Sequence, residues 1–245
     1  MKNLNDIFFE HKDRLIDKWD HYLDIYEENF SEFVNKKPKV LEIGVYHGGS
    51  LQMWKRYFGE GCNIVGLDIN HECKKYEEDG ISIVIGDQSS PDFWASFFES
   101  HGEFDIIIDD GSHINSHQII TFLSAWPHLK NNGVYLVEDL HCAYWREYGG
   151  GYRNPANFLE FSKQLIDEQN AYWSRDPGSF PVSGITNQLR TVSYNDSMVV
   201  FKKKIRTGAP VRYCVGNPSR PLSAAEEEVV AAAKRRVSDL LTNQK

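Results

Sequence analysis

Short apolar runs and polar, turn-forming stretches alternate along the middle of this chain. Val40–Ile43, Asn63–Leu67, Ile81–Ile85, Phe104–Ile108 and Gly133–Val137 each read as a buried strand. Between them, Ser50–Tyr57, Pro91–Ser100 and Asn115–His128 carry helical spacing. Pro91 stands at a first-turn position, where its missing N–H removes no helical bond. Strands alternating with helices predict a parallel sheet with covering helices.

The pattern changes on both flanks. Residues 3–34 are polar with aromatic and aliphatic positions at helical spacing: Phe8, Leu15, Trp19, Tyr22, Tyr26 and Phe30. They predict one or two amphipathic helices, ended by Lys37-Pro38. After the fifth strand, residues 142–154 are rich in Gly, Tyr and Trp and read as a loop. Ala156–Tyr172 reads as a helix and Asp176–Gly184 as another loop. Leu189–Tyr194 and Met198–Lys204 then predict a hairpin around Asn195-Asp196-Ser197. Residues 208–222 form a Pro/Gly-containing connector, and Ser223-Ala-Ala-Glu226 is a capping box ahead of a helical stripe of Val230, Ala233, Val237 and Leu241. The organisation expected is an N-terminal helical segment over 1–36, a core over 37–205, and a connector with a C-terminal amphipathic helix over 206–245.

The chain is long enough for one α/β domain with a substantial core. Its net charge of −8 and lack of a long basic tract argue against nucleic acid as the main partner. Lys202-Lys203-Lys204 is read as a solvated strand end. The four cysteines show no CxxC spacing, which points to a reducing compartment. The first residues have no apolar signal core, and no apolar run reaches the roughly 20 residues needed to span a bilayer. A cytoplasmic protein without membrane association is expected.

The candidate chemistry lies at two acidic strand ends, Asp109-Asp110-Gly111-Ser112-His113 and Glu138-Asp139-Leu140-His141. Ligands of open α/β sheets sit at the carboxyl ends of the strands. Clustered carboxylates repel one another unless a cation or shared proton neutralises them. A hard divalent metal, foremost Mg²⁺, fits oxygen ligands of this kind. Glu138 and Asp139 are adjacent, so both can serve one ligand only if the chain turns immediately after the strand. Asp109 is read as capping or bracing the turn, with direct ligation as the alternative. His113 and His117 stand one helical turn apart, but the surrounding carboxylates argue against zinc. His141 is read as a second base, a substrate contact or a polar rim residue. Tyr144 and Trp145, in the Gly-rich loop, are candidates for stacking on a sugar or aglycone.

At the other end of the sheet rim, Leu41-Glu42-Ile43-Gly44-Val45-Tyr46-His47-Gly48-Gly49 follows the first strand. Glycine there permits close backbone approach to a ligand. The turn is not GxGxxG, and its acid suits a cationic ligand better than a phosphate. S-adenosylmethionine carries both an ammonium and a sulfonium. Asp68 is placed to accept hydrogen bonds from ribose hydroxyls, and Asp87 to meet an adenine edge. A nicotinamide dehydrogenase is disfavoured, because this turn offers no pyrophosphate cradle.

With these residues the chain resembles the class I S-adenosylmethionine-dependent methyltransferases, whose closing hairpin Thr191–Lys204 matches. More narrowly, it resembles the metal-dependent sugar O-methyltransferases of antibiotic tailoring, the mycinamicin, tylosin-type macrolide and tetracenomycin rhamnose enzymes. The matching segments run from Asp17-Lys18-Trp19 with Tyr22 and Tyr26-Glu27, through Leu41–Gly44, Ser50–Trp54, Gly66–Ile69 and Gly86–Ser89. They continue with Ile108–His113, Val137–Leu140, Ala143–Trp145 and Tyr194–Val200. The resemblance implies a Rossmann-like seven-stranded sheet, parallel with one antiparallel strand, an N-terminal helical cap and a C-terminal helix. It implies Mg²⁺ held by Asp110, Glu138 and Asp139, and His113 as general base. The cofactor site is accordingly expected to comprise Glu42, Gly44, Tyr46, Ser50, Asp68, Asp87, Gln88 and Asp109, with Trp19 and Tyr22 covering it. A homo-oligomer contacting through the terminal helices is also implied. The chain departs from these enzymes in a shorter first turn, in lacking the long N-terminal domain of some members, and beyond Tyr148, where acceptor choice is expected to lie.

Methyl transfer from a sulfonium is an in-line displacement. The catalyst must aim the nucleophilic oxygen and remove its proton. A metal chelating neighbouring hydroxyls lowers their pKa, and an unperturbed imidazole accepts a proton near neutral pH. The catalytic set expected is therefore Asp110, His113 and His141, acting on a sugar or glycosylated natural product as small-molecule acceptor. Two alternatives stand beside it: a non-sugar polyketide acceptor, and a non-catalytic cofactor-binding partner of a tailoring hydroxylase.

Overall fold

Successive side chains of a strand point to opposite faces, and each face here buries its own layer. On β1 (Lys39–Ile43), Val40 belongs to one apolar core while Leu41 and Ile43 belong to the other. The same alternation runs through β2 (Asn63–Asp68), β3 (Ile81–Ile85), β4 (Phe104–Asp109) and β5 (Leu129–Val137). The computed structural model describes residues 3–242; positions 1–2 and 243–245 of the expected terminal segments lie outside the described residues.

The seven strands are ordered β3-β2-β1-β4-β5-β7-β6, with β6 (Leu189–Asn195) and β7 (Met198–Lys203) forming the closing hairpin. β7 pairs antiparallel with both β5 and β6, and the pairs β1–β2, β1–β4, β2–β3 and β4–β5 are parallel. Register aligns Ile43 with Asp109, Asp109 with Val137, and Val137 with Val199. The carboxyl ends of β1, β4 and β5 therefore share a rim with the start of β7.

One face packs under α1 (Leu4–Phe9), α2 (Tyr22–Phe30) and α3 (Gly49–Phe58), through Leu4, Tyr26, Phe30, Trp54 and Phe58. The opposite face packs under α4 (Pro91–His101), α5 (Asn115–Ala125) and α6 (Phe158–Asn170), through Trp94, Phe98, Phe122 and Phe158. Burying both faces explains why the strands read as short apolar runs rather than alternating ones.

Three element boundaries differ from the sequence reading. The helix expected over Asn115–His128 ends at Ala125; Trp126–His128, which contains Pro127, is a 3-10 turn. β5 starts at Leu129, before the predicted Gly133, although Asn131 and Asn132 break its apolar pattern. In the N-terminal segment the aromatic spacing holds within α2, where Tyr22, Tyr26 and Phe30 are buried. It fails between α1 and α2, where residues 15–19 are irregular and Leu15 and Trp19 are exposed.

The chain divides into two units, the first ending at Ile205 and the second starting at Arg206. In the second, α7 (Ala224–Thr242) begins with the expected capping box: Ser223 N donates to Glu226 Oε2 at 2.8 Å, and Glu226 N to Ser223 Oγ at 3.4 Å. No described helix is long and apolar enough to cross a membrane.

Candidate active site

β1 and β4 come so close at their ends that a Cβ on Gly44 would lie 1.9 Å from the Asp110 carbonyl oxygen; Gly44 also has φ +93°. Glycine is required there on both counts. Beyond this crossing lies a cavity of about 460 Å³, lined by Trp19, Tyr22, Tyr46, Ser50, Asp68, Asp110, His113, Glu138, Asp139 and His141 among others. A second cavity of about 250 Å³ shares Gly44, Asp68 and Gly111 with it and continues past Asp87, Gln88, Ser112 and His117. The acidic end and the glycine-turn end thus form one branched cleft.

The chain does turn immediately after β5. Asp139 adopts φ +53°, ψ +37°, so it and Glu138 diverge in environment. Glu138 is buried; Tyr26 OH donates to its Oε1 at 2.6 Å. Asp139 faces the cavity and accepts from Tyr22 OH at 2.7 Å. Tyr22 and Tyr26 lie one helical turn apart on α2, which sets both hydroxyls against the acidic pair. His113 has φ +56°, placing its Nε2 3.6 Å from Asp139 Oδ2 and 4.0 Å from Asp110 Oδ1. Tyr46, His113 and Asp139 all line this cavity with left-handed backbones. Such conformations cost about 1–3 kcal/mol each and concentrate at functional sites.

The residue that sequence reasoning left without a role is Lys18. Its ammonium, almost wholly buried, hydrogen-bonds Asp110 Oδ2 and lies 2.8 Å from Glu138 Oε2. Burial depresses the Lys18 pKa, but the Asp110, Glu138 and Glu42 carboxylates outweigh it and hold the amine well above its ordinary range. Burial pushes Glu138 upward, the Asp110 charge adds to this, and Lys18 opposes both. One signal was available in the sequence: buried carboxylates need a counter-charge, and neither acidic strand end supplies a lysine or arginine.

Asp110, His113 and Asp139 present ligand atoms within 4.8 Å of one another, a grouping that can hold a metal ion. Glu138 joins Asp110 through Lys18 rather than directly, so two of the three carboxylates expected to share a metal here share an ammonium. A cationic group seated among hard oxygen donors is a stand-in for a divalent cation, and the donor set suits Mg²⁺.

The remaining candidates separate into cleft walls and supports. Asp68 Oδ2 accepts from Val45 N at 2.9 Å and Tyr46 N at 3.2 Å, fixing the first turn while lining both cavities. Asp87 accepts from Ser89 N at 2.8 Å at the edge of the smaller cavity, and those bonds lower its pKa. Gln88 donates to Asp109 and Thr121, both at 3.1 Å, and accepts from Ser112 N at 2.7 Å. Asp109 is fully buried beneath the rim, and burial pushes its carboxyl up to about 7, so it braces the turn. Glu42 also faces inward, bonded by Ser50 Oγ at 3.1 Å, and burial pushes it up to about 7. Neither Glu42 nor Asp109 lines either cavity. His141 takes a 2.5 Å hydrogen bond between its Nδ1 and Ser197 Oγ in the β6–β7 turn, a second contact not foreseen. Its ring lies between Trp19, at 6.1 Å, and Trp145, at 4.8 Å. Tyr144 is half exposed and lines neither cavity.

The domain that carries this cleft is shared with known proteins. Residues 41–140 match the sequence profile of a methyltransferase domain. Demethylmacrocin O-methyltransferase of Streptomyces fradiae is 39% identical over 167 residues, which are 64% of this chain and 42% of that protein. The 8-demethyl-8-alpha-L-rhamnosyl tetracenomycin-C 2'-O-methyltransferase of Streptomyces olivaceus is 32% identical over 202 residues, 78% of this chain and 53% of that one. Among solved structures, the MycE methyltransferase of the mycinamycin pathway, in complex with Mg, SAH and mycinamycin VI, superposes with a TM-score of 0.75 at 28% identity. The match covers 95% of this chain and 60% of MycE. This chain thus spans about half the length of the curated relatives it matches.

Proposed function

We propose that this chain, whose residues 41–140 are a methyltransferase domain set in the class I fold, is an S-adenosylmethionine-dependent, Mg²⁺-dependent O-methyltransferase. Its acceptor is a small molecule, a hydroxyl of a sugar or sugar-bearing natural product, as the rhamnosyl group in the name of the tetracenomycin relative suggests. The observation that carries the reading is an imidazole beside a cation-binding acid cluster in one cavity: His113 Nε2 lies 3.6 Å from Asp139, and the Lys18 ammonium bridges Asp110 and Glu138.

In this reading Asp110, Glu138 and Asp139 would hold Mg²⁺, which would supply Lewis acidity toward the acceptor hydroxyl and help to position it. His113 accepts the hydroxyl proton at Nε2, and Asp139 stabilises the resulting imidazolium. Tyr22 holds Asp139 in place. His141, oriented by Ser197, contacts the acceptor, with Trp145 beside it to stack on a sugar face. In the same larger cavity Gly44, Tyr46 and Ser50 accommodate the cationic end of the cofactor and Asp68 its ribose, while Asp87 and Gln88, in the smaller cavity, meet its adenine. Glu42 and Asp109 act from beneath, through Ser50 and Gln88. Trp19 and Tyr22 cover the larger cavity.

Three buried free cysteines, Cys62, Cys73 and Cys142, fit a reducing, cytoplasmic setting. A homo-oligomer, checked by sedimentation equilibrium, belongs to the same reading. The function is tested by mass spectrometry of methylated product with S-adenosylmethionine, Mg²⁺ and glycosylated or sugar-free acceptors. Methylation of glycosides that EDTA abolishes is expected. Methylation of aglycones alone moves the acceptor to polyketide hydroxyls, and no transfer to any acceptor returns the chain to a cofactor-binding partner protein.

A further inference from the structure

We propose that Lys18 is the built-in counter-ion of the acid cluster and that a divalent cation enters by displacing it, so that metal binding and the seating of residues 15–19 are one exchange. The proposal rests on the reading of Asp110, Glu138 and Asp139 as a metal site.

Three observations lead to it. First, two carboxylates cannot stay charged side by side in a buried site without a counter-charge. Among the described residues, Lys18 is the only lysine or arginine paired with Asp110 or Glu138. Second, its ammonium takes oxygens a metal would use: Asp110 also belongs to the open grouping with His113 and Asp139. A divalent ion drawing on Asp110 and Glu138 would stand in contact with that ammonium, and two cations repel at such range. Third, Lys18 can leave. It stands on an irregular stretch between two anchors, and its flexible stem lets the charge swing to water. The upstream anchor is Arg14, bonded to Tyr76 O at 2.8 Å and Glu78 Oε2 at 3.2 Å. The downstream anchor is the start of α2, where His21 Nε2 meets Asp196 O at 3.2 Å. Between them, Trp19 exposes its ring at the cavity mouth beside His141.

Displacement makes Lys18 a filter as well as a plug. Only a cation that gains more from the carboxylates than the ammonium does will hold the site, which favours divalent over monovalent ions. It also ties the position of Trp19, and hence the cleft's cover, to metal occupancy.

The test is calorimetric titration of MgCl₂ into the full chain without cofactor, as wild type, Lys18→Met and Lys18→Arg. Indole fluorescence is read in parallel, with Trp19→Phe as control. Lys18→Met keeps the stem and removes the competing charge, so it is expected to bind Mg²⁺ about tenfold more tightly or better. Lys18→Arg keeps a charge suited to carboxylates and is expected to bind no more tightly than wild type. Mg²⁺ should change the fluorescence of wild type and not of Trp19→Phe. If Lys18→Met misfolds, the Arg variant and the wild-type fluorescence still decide. Measurable Mg²⁺ binding with equal or weaker affinity in Lys18→Met, or a wild-type fluorescence signal that persists in Trp19→Phe, overturns the exchange and leaves the metal site standing. Absence of Mg²⁺ binding in every variant overturns both.

Discussion

The hydroxyl of Tyr26 donates a 2.6 Å hydrogen bond to Glu138 Oε1 across 112 residues of chain. Both partners are buried, and Glu138 has no route to water from that oxygen. Tyr26→Phe leaves the ring packing against Trp54 and Phe30 in place and removes only the donor. The expected cost is about 1–3 kcal/mol, from an acceptor left without its partner. Urea unfolding of wild type and variant measures it; an unchanged midpoint would show that Lys18 alone satisfies Glu138.

His113→Ala should lower kcat by about 10²–10⁴ while leaving S-adenosylhomocysteine affinity within about twofold, the signature of a lost proton acceptor. Mg²⁺ affinity should also hold. A large loss of Mg²⁺ binding would instead make His113 a metal ligand with Asp110 and Asp139, and the base would have to be sought at His141.

Trp145→Ala removes a partly exposed ring that stands 4.8 Å from His141, itself a cavity-lining residue. Loss of stacking should raise KM for a glycosylated acceptor roughly three- to tenfold with kcat little changed. Steady-state kinetics at saturating cofactor read this directly.

Glu42 gives a pH prediction with a definite sign. Burial pushes its carboxyl from 4.5 up to about 7, the Asp110 charge adds to this, and Lys18 opposes it. Between these values the folded chain holds a proton that the unfolded chain has released. Stability from this group is therefore fully present below about pH 4.5, falls as pH rises to about 7, and then levels off. Glu42→Gln keeps an acceptor for Ser50 and abolishes the titration. The difference in unfolding free energy between variant and wild type should grow in the variant's favour by up to about 1.4 kcal/mol per pH unit across that window. Denaturation curves at pH 4.5, 6 and 8 test it.

Much of the architecture was legible because burial on both sheet faces leaves apolar runs at regular intervals, and because Asn195-Asp196-Ser197 marks the hairpin in the sequence. Asp110, His113, Glu138, Asp139 and His141 were legible for a related reason: strand ends on one side of an α/β sheet must share a rim. The partners that set their charge and direction were not. Lys18 lies outside any regular element, and sequence reasoning gives it no role although Asp17-Lys18-Trp19 belongs to a matching segment; the unmet charge of the acids is what argues for it. Ser197 became visible as a contact of His141 once β7 was known to run antiparallel beside β5. The inward turn of Glu42 follows from strand parity, since it lies two residues from Val40, but the sequence does not say which face carries the cofactor. The helical spacing of Leu15 and Trp19 misled because the chain unwinds there to deliver Lys18.

Lys18 lies 92 residues ahead of Asp110 and 120 ahead of Glu138, whereas Ser197 comes 56 residues after His141. Translation proceeds from the N-terminus. Both acids thus emerge into the presence of cationic and phenolic partners already made. His141 must wait for the hairpin, whose β7 also fills the gap between β5 and β6. A nascent chain stopped before residue 190 holds every residue that neutralises the acids and lacks the one that orients His141. The charges of this cleft are therefore provided for early in the chain's synthesis, and its far wall arrives last.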